Sequence, residues 1–238
     1  NYLGLADHPE VVEAGIEGLR RYGAGTASVR FICGSFEPHL ELERALADLS
    51  RTEAALTYVS CWNANEAVIP TLTDPSTVIL TDELNHASII DAVRLSKPAS
   101  KVIYPHSDMA ALREALASAP GDARKLILTD GVFSMEGDLA KLPEVVELAH
   151  EHDAVVIVDD SHGVGVLGET GRGTVEHFGL LGPLHASGAR VIVTSAEPDA
   201  IPRSTSGTIT TASRKDRSND VTVDPWRLCI ERMYMRSA

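Results

Sequence analysis

Cysteine is scarce in this chain of 238 residues: Cys33, Cys61 and Cys229 are the whole supply, and they lie far apart. They show no zinc-ligand spacing, and an odd, scattered set is not a disulfide framework. Such usage fits a reducing compartment. Basic residues are also short, with 21 Lys+Arg against 34 Asp+Glu and a formal net charge of −13. That balance argues against a nucleic-acid-binding surface and against docking on an anionic membrane. No apolar run approaches the ~18 residues of a membrane span. The N-terminus lacks the basic-then-apolar pattern of a secretory signal, so the expected location is cytoplasmic. Neither a GxGxxG loop nor a Walker glycine–lysine pattern occurs, which removes the commonest nucleotide-binding signatures. What is present is ordinary for a globular protein: 44% hydrophobic and 23% charged residues. The length suits one large domain, or one domain and part of another.

The most informative stretch is Ala154 to Gly168, AVVIVDDSHGVGVLG. Its continuous apolar start suits a strand buried on both faces of a parallel sheet. Polar groups at the C-terminal end of such a strand sit where open α/β sheets bind ligands. Two readings are open here. Asp159 and His162 are a ligand-binding pair, or an aspartate caps the next segment and His162 packs against the sheet.

Taken in order, the chain gives a helix to about Arg21, with Asp7 as N-cap and Pro9 in its first turn. Tyr22 to Gly34 is rich in small residues and reads as a loop. Arg30 within it is an anion contact or a structural arginine. Glu37 to Leu49 has helical periodicity. A strand over Ala55 to Ser60 leads into a helix from Cys61 to about Leu72. That junction leaves backbone N–H groups free for an anion, or it is a plain helix start with Trp62 buried. Strands follow at Thr77–Thr81, Lys101–Tyr104 and Lys125–Thr129, with helices at Asp108–Ser118 and Pro143–His152 between and after them. This alternation predicts an α/β domain with a mostly parallel sheet and flanking helices. Right-handed crossovers place Cys61 to Asn63, Asn85 with His86, Ser134, and Asp159 with His162 along one sheet edge.

Six stretches carry a family resemblance: NYLGL, GTASVRFICG, SCWNAN, LNHASIIDAVRL, TDGVFSMEGDLA and VDDSHGVGVLGETGRG, in this order. Over residues 1–182 the chain resembles the α-oxoamine synthases, pyridoxal 5'-phosphate (PLP) enzymes of fold type I. Within them, SVRFICG and DDSH are most similar to glycine C-acetyltransferase, or 2-amino-3-ketobutyrate CoA ligase. The resemblance implies a role for each matching residue. His86 stacks on the cofactor ring, Asp159 pairs with the pyridinium nitrogen, and His162 hydrogen-bonds the phenolic oxygen. Ser134 sits near that oxygen and the substrate carboxylate, and the N–H groups of Cys61 and Trp62 hold the phosphate. A protonated ring is the electron sink for a carbanion at the substrate α-carbon. The implied reaction condenses glycine with acetyl-CoA in a homodimer. Sister activities form 8-amino-7-oxononanoate, 5-aminolevulinate or sphingoid bases. A non-catalytic partner subunit and a fragment are further alternatives.

The chain departs from the pattern after its DDSH turn. The family's Schiff-base lysine lies in a segment resembling TGTLGKALGG, which is missing here. No lysine occurs between Lys141 and Lys215. Residues 183–238 carry eight Lys+Arg against six Asp+Glu, whereas the first 182 carry thirteen against twenty-eight. Thirteen of these last 56 residues are Ser or Thr, and only Arg190–Thr194 reads as a strand. The expected division is therefore a partial PLP-binding large domain over 1–182 and a divergent tail over 183–238. No family-like small domain is expected, so the fold is expected to be incomplete at its C-terminus. A shifted reading frame near Pro183 would produce such a break. Without the lysine, cofactor binding is expected to be non-covalent and turnover small.

Overall fold

The computed structural model describes residues 4–181, 190–196 and 207–212. The chain first lays down three helices, α1 (Pro9–Tyr22), α2 (Arg30–Cys33) and α3 (Glu37–Ser50). It then alternates: β1 (Ala54–Thr57), α4 (Cys61–Leu72), β2 (Thr77–Asp82), α5 (Ala87–Leu95), β3 (Ser100–Tyr104) and α6 (Met109–Ser118). β4 (Arg124–Asp130), α7 (Leu142–Glu151), β5 (Ala154–Asp159), α8 (Thr174–His177), β6 (Arg190–Ala196) and β7 (Gly207–Ala212) complete the described elements.

The seven strands form one sheet in the order β1-β7-β6-β5-β4-β2-β3. From β3 to β6 all neighbours are parallel, and β7 runs antiparallel to both β6 and β1. Each central strand is apolar on both faces, because helices cover both. Val78, Leu80, Ile127, Val156 and Val158 face the layer of α6 and α7. Ile79, Leu126, Leu128, Val155 and Ile157 face α4 and α5. The period-2 pleat thus sorts one continuous apolar run between two cores. Parallel pairing also brings Asp130 level with Asp159, and Asp159 level with Thr194.

Several expectations are refined. His8, not Asp7, is the N-cap of α1, and it makes no side-chain cap bond. The loop over Tyr22–Gly34 contains the single turn of α2. Arg30, at its start, is structural: it pairs with Glu43 at 2.5 Å and also reaches Thr57 and Ser35. Glu43 in turn accepts the Thr57 N–H at 3.0 Å, so one half-buried ion pair pins α2 and α3 to β1. The strand read at Ala55 to Ser60 ends at Thr57. The strand expected at Arg190–Thr194 is β6, and β7 is an addition. The rest of the expected divergent tail, 183–189, 197–206 and 213–238 with Lys215, lies outside the described residues.

Candidate active site

The site is assembled at the C-terminal ends of β2, β4 and β5, against the N-termini of α4 and α5. Asp159 ends β5 and is 5% exposed. Its Oδ2 accepts from Asn65 Nδ2 at 2.7 Å, and its Oδ1 accepts from the Ser161 hydroxyl at 2.6 Å and the Ser161 N–H at 3.1 Å. The Cys61 thiol lies 3.5 Å from both oxygens. All four donors are uncharged. Burial, followed by the negative charge of Asp159, pushes the Cys61 thiol well above its ordinary range. Cys61 is therefore a thiol donor, not a thiolate nucleophile.

Asn65 is the hub. Besides Asp159, its amide donates to Ser88 Oγ at 2.9 Å, and its carbonyl accepts from Thr194 Oγ1 at 2.8 Å. Ser88 Oγ lies 2.8 Å from His86 Nδ1, and the Ser88 N–H also points to Nδ1. Nδ1 is thereby the acceptor, which leaves the proton of a neutral ring on Nε2. The His86 backbone N–H donates to Asp130 Oδ2 at 2.7 Å, and Asp130 N donates to Asn85 Oδ1 at 2.9 Å. Trp62 meets the His86 ring edge-on, with centroids 5.7 Å apart. A network running from β6 through α4 and α5 thus fixes an exposed imidazole beside a buried carboxylate.

Ser60 caps α4 by accepting the Asn63 N–H at 3.2 Å. Cys61 and Trp62 occupy the first two helical positions, whose N–H groups have no partner within a helix. They suit an anion.

The structure links Cys61, Trp62, His86 and Asp159 through these contacts. His162 lies one turn beyond Asp159 and is half-buried. Ser134 stands apart, exposed at the tip of a hairpin closed by the Val132–Leu139 bridge. Trp62 is 39% exposed, so the reading of a buried tryptophan at a plain helix start does not hold. Asn65 and Asp130 lie inside the quoted motifs without being singled out, and Thr194 lies beyond them, in the strand read at Arg190–Thr194. Only the fold places them around Asp159.

The second aspartate of the DDSH turn has a different environment. Asp160 is fully buried, and its Oδ2 accepts the Thr174 N–H at 2.8 Å. Gly131, Gly163 and Gly173 crowd its carboxyl, leaving no room for a Cβ at any of them. Burial first, then the charge of Asp159, pushes Asp160 up to about 7 against the Thr174 hydrogen bonds. Asp130 is pushed up to about 8, first by burial and then by Asp159, with the His86 N–H opposing. Both groups hold a proton in the folded state that the unfolded chain releases near pH ~4. Stability therefore falls as pH rises from there through about 7 and 8. The melting midpoint is expected to drop between pH 5.5 and 8.5, and Asp130→Asn is expected to flatten the upper part of that drop. A midpoint that rises over this range in thermal scans would refute the assignment.

The fold is that of the fold type I PLP-dependent transferases, a parallel sheet flanked by helices. The family profile "Aminotransferase class I and II" matches residues 1–196, and the chain belongs to that family. Curated relatives are α-oxoamine synthases. The 8-amino-7-oxononanoate synthase 1 of Bacillus subtilis is 50% identical over 185 residues, which is 78% of this chain and 47% of that protein. The 8-amino-7-oxononanoate synthase of Petrotoga mobilis is 54% identical over 182 residues, covering 76% and 46%. Among solved structures, a serine palmitoyltransferase from Sphingomonas wittichii matches with a TM-score of 0.80 at 29% identity, covering 100% of this chain and 60% of that one. Another serine palmitoyltransferase, from S. paucimobilis and with a bound PLP–myriocin aldimine, gives 0.78 at 29%, covering 98% and 59%. The chain spans about half the length of the curated relatives it matches. These relatives lend no support to the preference for glycine C-acetyltransferase and favour the 8-amino-7-oxononanoate alternative. No described helix is long and apolar enough to cross a membrane.

Proposed function

We propose that this sequence encodes the cofactor-holding part of an α-oxoamine synthase of the 8-amino-7-oxononanoate type, which joins an amino acid to an acyl thioester. The observation that carries the reading is the buried Asp159 carboxylate, held among the described residues by uncharged donors alone, beside the exposed His86 ring and the N-terminus of α4. A buried anion without a cationic partner is costly, and a protonated heteroaromatic ring supplies the missing charge. PLP brings such a ring, a phosphate and, when bound, an electron sink for a carbanion at the substrate α-carbon.

The residues fit that group. Asp159 would hold the proton on the ring nitrogen. Asn65 and Ser161 would keep the carboxylate aimed, and His86 would cover the ring. The N–H groups of Cys61 and Trp62 would take the phosphate. His162 and Ser134 would serve the phenolic oxygen and the substrate carboxylate, and a second copy would complete the enzyme as a homodimer.

The proton-transfer lysine has no counterpart at this network among the described residues. Lys97 precedes β3, while Lys101 and Lys125 start β3 and β4, at the sheet edge opposite the site. Lys141 is the N-cap of α7. The expected result is that PLP binds reversibly, with no lysine labelled after borohydride, and that Asp159→Asn weakens binding at least tenfold. Absorbance titration and peptide mapping check both. A borohydride-fixed lysine, or unchanged affinity in Asp159→Asn, would overturn the reading. The acyl preference is tested on a full-length homologue bearing these motifs. Turnover of pimeloyl thioester with alanine supports the proposal, and turnover of acetyl-CoA with glycine alone rejects it.

A further inference from the structure

Outside the cofactor network, one histidine is held on both ring nitrogens by carboxylates. His106 follows β3. Its Nδ1 lies 2.9 Å from Asp82 Oδ1, and its Nε2 lies 2.8 Å from Asp138 Oδ2. Asp82, at the end of β2, also accepts the N–H groups of Leu84 at 3.0 Å and Ser107 at 2.9 Å. The His106 N–H donates to Glu83 Oε1 at 2.8 Å. The ring packs edge-on against Phe133, with centroids 4.4 Å apart.

Phe133 and Asp138 are opposite each other on the hairpin that carries Ser134. The Phe133 N–H donates to Asp138 O at 3.0 Å, and the Gly137 N–H donates to Phe133 O at 2.7 Å. His106 therefore touches both strands of the hairpin, the ring of one and the carboxylate of the other. Between them the tip is solvent-exposed, with Met135 88% exposed. A free tip of this kind takes its position from what grips its base.

We propose that His106 is a positioning residue, an imidazolium that clamps the Ser134 hairpin to the ends of β2 and β3. The charge follows from the geometry. A neutral imidazole has one donor and one acceptor nitrogen, and two ionised carboxylates can only accept. Both nitrogens must donate, so the ring is protonated. Burial lowers the proton affinity of His106, but the hydrogen bonds and charges of Asp138 and Asp82 outweigh it, and the net direction is upward. The facing groups are Asp82 from β2, Glu83 beyond it, Asp138 from the hairpin, and the buried Tyr104 beside Asp82. All are acidic or neutral. The stabilisation is complete below the ordinary histidine value and is lost as pH rises through the raised one.

The importance of the clamp for Ser134 rests on the cofactor reading above, but the clamp itself does not. Amide hydrogen exchange of the whole chain, corrected for intrinsic rates, reads hairpin opening directly at Phe133 and Gly137. Protection there is expected to fall at least tenfold between pH 6 and 9, while β5 amides change far less. In His106→Gln it is expected to be low at every pH and to lose that fall. Asp130 also titrates near the hairpin, but it is retained in this variant, so its contribution is common to both proteins and cancels in their difference. Asp138→Asn removes the outer, half-exposed carboxylate and is expected to have the same effect with β5 protection intact. It decides the question if His106→Gln fails to protect β5. Wild-type protection that is flat with pH, or Asp138→Asn protection that matches wild type, overturns the clamp. PLP titration of the same samples separates the two readings. A pH-dependent hairpin without PLP binding keeps the clamp and rejects the cofactor site, and PLP binding with a pH-flat hairpin does the reverse.

Discussion

Gly173→Ala is expected to abolish cooperative folding of this chain. Gly173 precedes α8 with φ 83° and ψ −160°, a backbone region that is essentially glycine's alone and costs a side-chain-bearing residue about 1–3 kcal/mol. A Cβ there would also overlap the Asp160 carboxyl and press on Val164. Relieving that overlap in a packed interior costs roughly 1–3 kcal/mol more. Moving Asp160 breaks its bond to the Thr174 N–H and leaves a buried donor without a partner, a further ~1–3 kcal/mol. The total is comparable to the whole stability of many domains, about 5–15 kcal/mol. Gly121→Ala is the control, since a Cβ there meets nothing within 4 Å. Urea unfolding of both variants checks the expectation. A Gly173→Ala protein with the wild-type midpoint would show that the turn repacks cheaply.

The second large effect is expected at Asn65. Leucine has the same branched skeleton with bulkier ends, so Asn65→Leu leaves no cavity but deletes every polar function of the side chain. Asp159 loses its 2.7 Å donor, Ser88 loses the amide, and Thr194 loses its acceptor. A hydrogen bond to a charged group contributes about 1.5–3 kcal/mol, and leaving the buried Thr194 hydroxyl only its long 3.4 Å contact to Val158 O costs roughly 1–3 kcal/mol. The expected destabilisation is about 3–5 kcal/mol, with a loss of PLP affinity of at least tenfold because the carboxylate is no longer aimed. Denaturant titration and PLP titration measure the two effects separately. A variant that keeps both stability and affinity would mean that Ser161 and Cys61 alone hold Asp159.

The extent to which this site could be read from sequence follows from how local each residue's role is. The buried strands were legible because both-face burial writes itself as unbroken apolar runs, as in Ala154–Val158. The strand-end loops were legible because polar residues interrupt those runs at a fixed place, and they led to Asp159 and His86. Asn65 was not, because its partners lie on α5, β5 and β6 and nothing adjacent in sequence marks it. Arg30 stood between an anion contact and a structural role until Glu43 was placed beside it. β7 was missed because a Gly- and Thr-rich segment carries little hydrophobic pattern, and its pairing uses backbone groups on both sides. The four residues of α2 are too few for any periodicity to register.

The order of the strands has a consequence for how the protein is made. Among the described residues β1 is an edge strand whose sheet neighbour is β7, with Ala54 facing Thr211 and Thr57 facing Thr208. On the ribosome, α3 and β1 emerge early and cannot join the sheet until nearly all the other described elements have been synthesised. The alternating elements from β2 to β5 are local in sequence and can condense first, as chains rich in near-neighbour contacts do. The N-terminal layer must wait with an unpaired strand, the type of exposed edge that makes nascent chains prone to aggregate. Any change that removes or delays the segment carrying β7 leaves that early layer without its dock, however well the middle of the chain has folded.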